Sequence, residues 1–70
     1  MMNTWEKIDQ ALRAGAKLYC SLTFGAWVEF PDGRSVNANM NAVKAVMRRD
    51  LIVVCERDSP TTYGYRSKYK

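Results

Sequence analysis

Residues 38–49 read Ala-Asn-Met-Asn-Ala-Val-Lys-Ala-Val-Met-Arg-Arg, and this stretch decides the fold prediction for the chain. Apolar side chains recur in it at the three- and four-residue spacing of an amphipathic helix. At about 100° per residue they share one arc, which we expect to face the core. The members of that arc are Val36, Met40, Val43 and Met47, flanked by Val46 and Leu51.

The other side of this predicted helix carries amides and cations in line. Asn37 or Asn39 can cap the helix, because an asparagine oxygen accepts a hydrogen bond from a free backbone amide of the first turn. The polar stripe contains Asn37, Asn41, Lys44 and Arg48, with Asn39 and Arg49 at its border. No Asp or Glu occurs between Asp32 and Asp50, whereas an ordinary solvated surface mixes both charges.

Such a stripe has the chemistry to read DNA. The major groove admits a single helix; asparagine can make two hydrogen bonds to adenine, and arginine or lysine can do so to guanine. The small side chains of Ala42 and Ala45 would let the helix sit close. The alternative is an ordinary solvated face, because cations in the last turn of a helix also interact favourably with the helix dipole.

Upstream, residues 4–14 are predicted to form a first helix. Asn3 can cap it, and Glu6 follows three residues later, as in a capping box. Apolar residues then follow at helical spacing. Gly15 is placed to end the helix in a left-handed conformation.

The remaining chain predicts two β-hairpins. Alternating or β-branched runs mark strands at 17–23, 26–30, 51–56 and 63–68. Trp27 is expected to pack across from Tyr19. The order is α-β-β-α-β-β in one α+β domain spanning residues 1–70, of which 68–70 are expected to fray.

Composition limits the class of protein. Seventy residues allow one domain, and the 47% hydrophobic content indicates that it folds. No apolar run approaches the roughly 20 residues that span a bilayer, and the first residues do not resemble a signal peptide. We therefore expect a cytoplasmic protein without membrane contact, in which the two cysteines, Cys20 and Cys55, are buried reduced thiols.

Charge is uneven along the chain. The net charge is +4, and the excess lies in residues 34–70, which hold eight Lys or Arg and three Asp or Glu. A basic half favours a polyanionic partner. Charge that merely keeps a small protein soluble is the alternative.

The residues needed for catalysis are scarce. Histidine, the commonest general base and metal ligand, is absent from the sequence. Two cysteines are too few for a structural zinc site, which takes four ligands. We therefore expect neither an enzyme, nor a metal site, nor a cofactor.

The second half resembles the winged helix-turn-helix family. The resemblance rests on Val36, on Val43, Val46 and Met47, on the junction Arg49-Asp50-Leu51-Ile52, and on the strand-loop-strand that follows. The turn Val28-Glu29-Phe30-Pro31-Asp32-Gly33 ahead of the helix is similar to a hairpin of small phage and bacterial proteins. Asp50 departs from the usual junction glycine, and a hairpin stands where the family has a further helix.

The resemblance implies a recognition helix at 38–49 and a wing at 57–62. Double-stranded DNA would be approached from the helix by Asn39, Asn41, Lys44, Arg48 and Arg49, and from the wing by Arg57. The C-terminal segment interleaves tyrosines with cations, so Arg66 is a further candidate for phosphate contact, although its tyrosines can simply close the sheet over the core.

Two functions follow as hypotheses. The first is a phage or bacterial transcriptional regulator that binds DNA, with a homodimer through Val53, Trp27 or Tyr69 as one arrangement. The second is a phage-encoded protein that binds and inhibits a host protein complex, as anti-CRISPR proteins do. The two hypotheses differ in whether the basic face meets nucleic acid or protein.

Overall fold

The computed structural model describes residues 1–59 and 61–69 and shows two helices and five strands. In chain order these are α1 (Trp5–Arg13), β1 (Lys17–Ser21), β2 (Gly25–Glu29), β3 (Ser35–Ala38), α2 (Met40–Arg48), β4 (Ile52–Ser59) and β5 (Thr62–Ser67). The predicted α+β class and both predicted hairpins are confirmed. No helix in the described part of the chain is long and apolar enough to cross a membrane.

All five strands form one antiparallel sheet in the order β3-β2-β1-β5-β4. β1 is the central strand, pairing with β2 on one side and β5 on the other. Both helices pack on one face of the sheet and against each other. The opposite face, which we call the open face, carries no helix among the described residues.

Strand alternation decides which residues enter the core. Leu18 of β1 lies opposite Val28 of β2, and both are fully buried beneath the helices. Tyr19 lies opposite Trp27, as predicted, and because successive strand residues point to opposite sides, this pair belongs to the open face. From the helices, the fully or almost fully buried core residues are Ile8, Leu12, Val43 and Val46.

The first helix differs from the prediction only at its ends. Thr4, not Asn3, is the N-cap, and its hydroxyl accepts a hydrogen bond from the Lys7 amide at 3.4 Å. Gly15 follows the helix with a φ of 109°, the left-handed backbone that was expected of a glycine there.

A fifth strand, β3, was not predicted and makes the order α-β-β-β-α-β-β. The predicted helix start at residue 38 is therefore wrong. Ala38 pairs with β2, and the Asn39 side chain caps α2 by accepting from the Asn41 amide at 2.8 Å. The chain start also bridges β3, since the Met2 amide donates to the Asn37 carbonyl at 2.8 Å and the Asn39 amide donates to the Met2 carbonyl at 2.9 Å. These non-local pairs favour an extended backbone before α2.

The core-facing arc of α2 also differs from the prediction. Met40 and Met47 were expected to be buried but are 44% and 41% exposed. The side chains that face the sheet are Ala42, Val43 and Val46. The prediction counted Val36 as a helical position, and because that residue belongs to β3, the apolar arc was rotated toward the methionines.

Asp50 explains how the chain leaves α2 without the junction glycine. Its φ of 56° lies in the left-handed region, which aspartate tolerates better than most side chains do. Its carboxylate pairs with the Lys68 ammonium at 2.5 Å, and the Lys68 amide donates to the Leu51 carbonyl at 2.9 Å. Lys68, within the segment 68–70 that was expected to fray, thus makes two contacts with the residues that follow α2, and Lys70 lies outside the described residues.

The two cysteines do not form a disulfide. Cys20 is half-buried in β1. Cys55 was expected to be buried but is exposed, because the register of β4 shifts between Val54 and Glu56 and leaves Cys55 unpaired with β5.

Candidate nucleic-acid interface

The outward face of α2 presents Asn41, Lys44 and Arg48, a set that we call the ridge. All three are exposed. Their spacing of three, then four residues places them on one side of the helix, opposite the fully buried Val43 and Val46. Because the buried side chains hold α2 against the sheet, the ridge points away from the protein.

The ridge keeps its positive charge. The ion pairs among described residues join Asp9 to Arg13, Glu56 to Lys17, Asp32 to Arg34 and Asp50 to Lys68. None of them involves Lys44 or Arg48. The first turn of α2 is also free of acidic residues. The ridge therefore offers two unneutralised cations and one amide to an anionic partner.

Ala42 does not take the role predicted for it. It was expected to let the outer face of the helix approach a groove closely, but it is buried and faces the sheet. Ala45 is half-buried. The outer surface of α2 is consequently formed by longer side chains, including Met40 and Met47.

Two of the predicted DNA contacts lie on the open face, away from the ridge. Asn37 is a β3 residue opposite Trp27. Arg66 is a β5 residue opposite Val53, and its guanidinium donates to the Ser67 carbonyl at 3.2 Å. The sheet separates both residues from the outer face of α2, so the predicted stripe is shorter than the sequence suggested.

The remaining predicted contacts, Asn39, Arg49 and Arg57, are each engaged with another part of the protein. Asn39 is half-buried and its oxygen is engaged in the cap of α2. Arg49 lies at the end of α2 with its guanidinium carbon 4.1 Å from the centroid of the Trp5 ring, which ties α2 to α1 by a cation–π contact. Arg57 belongs to β4 and lies 5.1 Å from the centroid of the Tyr63 ring.

The segment predicted as a wing is largely strand. β4 continues to Ser59 and β5 begins at Thr62, so the β4–β5 hairpin is longer and its turn is shorter than the predicted 57–62 loop. Pro60 of that predicted wing lies outside the described residues. Arg57 is therefore held on a paired strand and packed on an aromatic ring.

On the open face, the rings of Tyr19 and Trp27 stack with centroids 5.6 Å apart. The Tyr19 hydroxyl donates to Glu56 Oε2 at 3.1 Å, and the other carboxylate oxygen of Glu56 pairs with Lys17. Hydrogen bonds from Lys17 and Tyr19 lower the pKa of Glu56 and Glu56 raises the pKa of Lys17. Burial, then the bond to Glu56, raises the pKa of Tyr19 to about 12.

This cluster predicts a loss of stability in alkali. The folded protein favours neutral Tyr19, so its contribution is fully present below the unfolded pKa of 10.0 and is lost as pH rises toward about 12. We expect Tyr19→Phe to remove the highest-pH step of phenolate absorbance. Tyr69→Phe, which changes an exposed tyrosine, should leave that step in place. Persistence of the step in Tyr19→Phe would contradict the assignment.

No metal centre is evident in the described residues, which hold no group of three or more His, Cys, Asp or Glu side chains able to share an ion. Burial raises the pKa of Cys20 to about 11, so this thiol stays protonated at neutral pH and is a poor nucleophile.

One surface feature escaped the sequence analysis. A cleft opens between the start of α2 and β5, with the exposed side chain of Leu22 in its wall; Phe24, in the same turn, is also exposed. The sequence signal for this feature was the presence of Leu22 and Phe24 in the turn after β1, because turns are usually polar. The cleft itself depends on three segments that are distant in sequence.

Comparison of the chain with protein-family models, with curated proteins and with solved structures gives no match. The ridge and its surroundings are thus the main basis for assigning a function.

Proposed function

We propose that this protein binds double-stranded DNA by inserting the ridge of α2 into the major groove. Asn41, near the start of the helix, would hydrogen-bond to an adenine edge. Lys44 and Arg48 would bind guanine or the phosphates that border the groove. The observation that carries the proposal is the outward ridge, which has two cations and no carboxylate partner among the described residues.

The elements that precede and follow α2 support a winged-helix-like mode of DNA binding. The helix ends in a left-handed residue, Asp50, and leads directly into the β4–β5 hairpin. In this proposal the hairpin lies along the DNA backbone as a wing, and Arg57 contacts phosphate. The position before α2 holds β3 instead of a helix, so α1, joined to α2 through Arg49 and Trp5, would supply the support.

The biological role we propose is transcriptional regulation in a phage or a bacterium. A regulator of this size gains affinity by pairing, because a homodimer can engage two half-sites one helical turn apart. The activity that we propose is binding and not catalysis.

Duplex affinity and its salt dependence test the proposal. A labelled duplex titrated with protein should bind at low salt, and the logarithm of affinity should fall by about 0.9 per phosphate contacted for each tenfold rise in salt. We expect Arg48→Ala to weaken binding by about 1–3 kcal/mol if Arg48 reads a base. If Arg48 contacts phosphate, the salt slope should fall by about 1.

Arg66→Ala is the matched control, since it removes the same charge from the open face. Its affinity should stay close to that of the unchanged protein. Equal weakening by both substitutions would mean that net charge, not the ridge, holds DNA. Absence of duplex binding at low salt would overturn the proposal altogether.

A second candidate function is inhibition of a host protein complex. The specific observation in its favour is the pair of apolar side chains, Leu22 and Phe24, which are 85% and 83% exposed. Large apolar side chains exposed together in one turn are typical of protein contact surfaces.

A further inference from the structure

The cleft at the start of α2 is an open cavity of about 250 Å³. Its lining is mostly apolar and comprises Cys20, Ser21, Leu22, Met40, Thr61, Tyr63 and Tyr65. Sites for drug-sized molecules usually measure about 300–1,000 Å³, so this cavity suits a smaller group. One aromatic or branched aliphatic side chain is such a group.

The apolar surface extends beyond the cavity. Leu22 forms part of its wall, and Phe24 projects from the same turn between β1 and β2. A small molecule in the cavity would leave Phe24 in water. A protein segment that anchors one side chain in the cavity would also cover this turn, which is how interface anchors are commonly surrounded by other contacts.

Two cations lie near lining residues of the cleft. The Arg57 guanidinium is 5.1 Å from the centroid of Tyr63, a lining residue. Lys44 lies one helical turn beyond Met40, another lining residue, on the exposed side of α2. None of the described lining residues is acidic. The charge around the cleft therefore favours an anionic occupant.

We propose that the cleft receives one aromatic or branched aliphatic side chain of a partner protein, from a segment with carboxylates beside that side chain. The apolar side chain enters the cavity, and the carboxylates meet Arg57 and Lys44. A second copy of this chain fits less well. Each copy carries a net charge of +4, and residues 21–25 contain no carboxylate for the two cations.

A peptide probe tests this proposal on the full chain. The probe is a fluorescein-labelled peptide, Gly-Asp-Glu-Phe-Glu-Asp-Gly, compared with one in which Phe is Ala and one in which Asp and Glu are Asn and Gln. Both changes should weaken binding by about fivefold or more, as expected for loss of an interface anchor or of its charges. Amide shifts on binding should centre on residues 20–22, 40 and 61–65, with further shifts at Lys44 and Arg57.

Two methionine variants provide a matched pair on the protein. Met40→Ala removes a wall of the cleft and should weaken the peptide by about fivefold. Met47→Ala alters a methionine of nearly equal exposure on the same helix, away from the lining, and should leave peptide affinity unchanged. Far-ultraviolet circular dichroism checks that both variants are folded.

Equal binding of all three peptides, or amide shifts confined to the ridge, would overturn the proposal. A concentration-dependent dimer in sedimentation equilibrium that Met40→Ala abolishes would assign the cleft to a second copy and would overturn it too. Failure here is distinguishable from failure of DNA binding, because Met40→Ala should leave duplex affinity unchanged.

Discussion

Replacing Leu18 by alanine is expected to lower the free energy of unfolding by about 2–5 kcal/mol. Leu18 is fully buried in the central strand, where it lies between Val28 and Tyr65 of the two neighbouring strands. The substitution removes buried apolar surface and leaves a cavity that the paired strands cannot close. Because small domains have a total stability of about 5–15 kcal/mol, this loss is a large share of it.

Urea unfolding monitored by tryptophan fluorescence measures the change, and the denaturant slope should stay the same. The matched control is Leu22→Ala, which truncates an 85% exposed leucine four residues further along the chain. It should shift stability by less than about 0.5 kcal/mol. Similar effects of the two substitutions would mean that β1 does not bury Leu18 as described.

Replacing Gly64 by alanine is expected to lower the free energy of unfolding by about 1–3 kcal/mol, the range for overpacking. A Cβ atom at Gly64 would lie 2.9 Å from Tyr19 Cε1 and 3.2 Å from Glu56 Cβ. The Tyr19 ring cannot easily retreat, because it is stacked on Trp27 and its hydroxyl is bonded to Glu56. The near-ultraviolet circular dichroism of the Tyr19–Trp27 pair should change as well.

A double-mutant cycle isolates the cause. Tyr19→Ala alone removes the ring, and Gly64→Ala should then have a much smaller effect than in the unchanged protein. If Gly64→Ala costs the same in both backgrounds, the effect comes from the backbone or from Glu56 and not from the aromatic ring.

The parts of the fold that were predictable are those determined by local patterns. Period-two alternation in residues 17–30 predicted the pairing of Tyr19 with Trp27, because neighbouring strands of a tight hairpin have little choice of register. The left-handed Gly15 was predictable for a similar reason, since few other residues adopt that backbone easily.

The parts that were missed depend on contacts between distant segments. β3 is four residues long, and its extended form is supported by β2 and by Met2, neither of which its own sequence reveals. Because Val36 of β3 was counted as a helical position, Met40 and Met47 were expected to lie on the side of α2 that faces the core. Local helix signals could not correct this, because Asn37 and Asn39 are both acceptable caps.

The candidate sites divide in the same way. The ridge was predictable, since the spacing of Asn41, Lys44 and Arg48 and the lack of nearby acidic residues are properties of one helix. Asn37 was placed on the helix stripe although it belongs to β3, and only the sheet shows that Arg66 lies on the other side of the protein from the ridge. The cleft was not foreseen, since it forms where β1, α2 and β5 meet.

The two edge strands of the sheet, β3 and β4, differ in how much of their outer backbone is free, because Met2 pairs with β3. At the β3 border the Asn37 carbonyl and the Asn39 amide already have a hydrogen-bond partner. The β4 border is longer and is kinked by two register shifts. Fibrils grow when every protein molecule pairs with its neighbours through both edge strands of its sheet. Because Met2 already pairs with the end of the β3 edge, strand addition there is hindered, so trimming the first three residues should increase fibrillar aggregation.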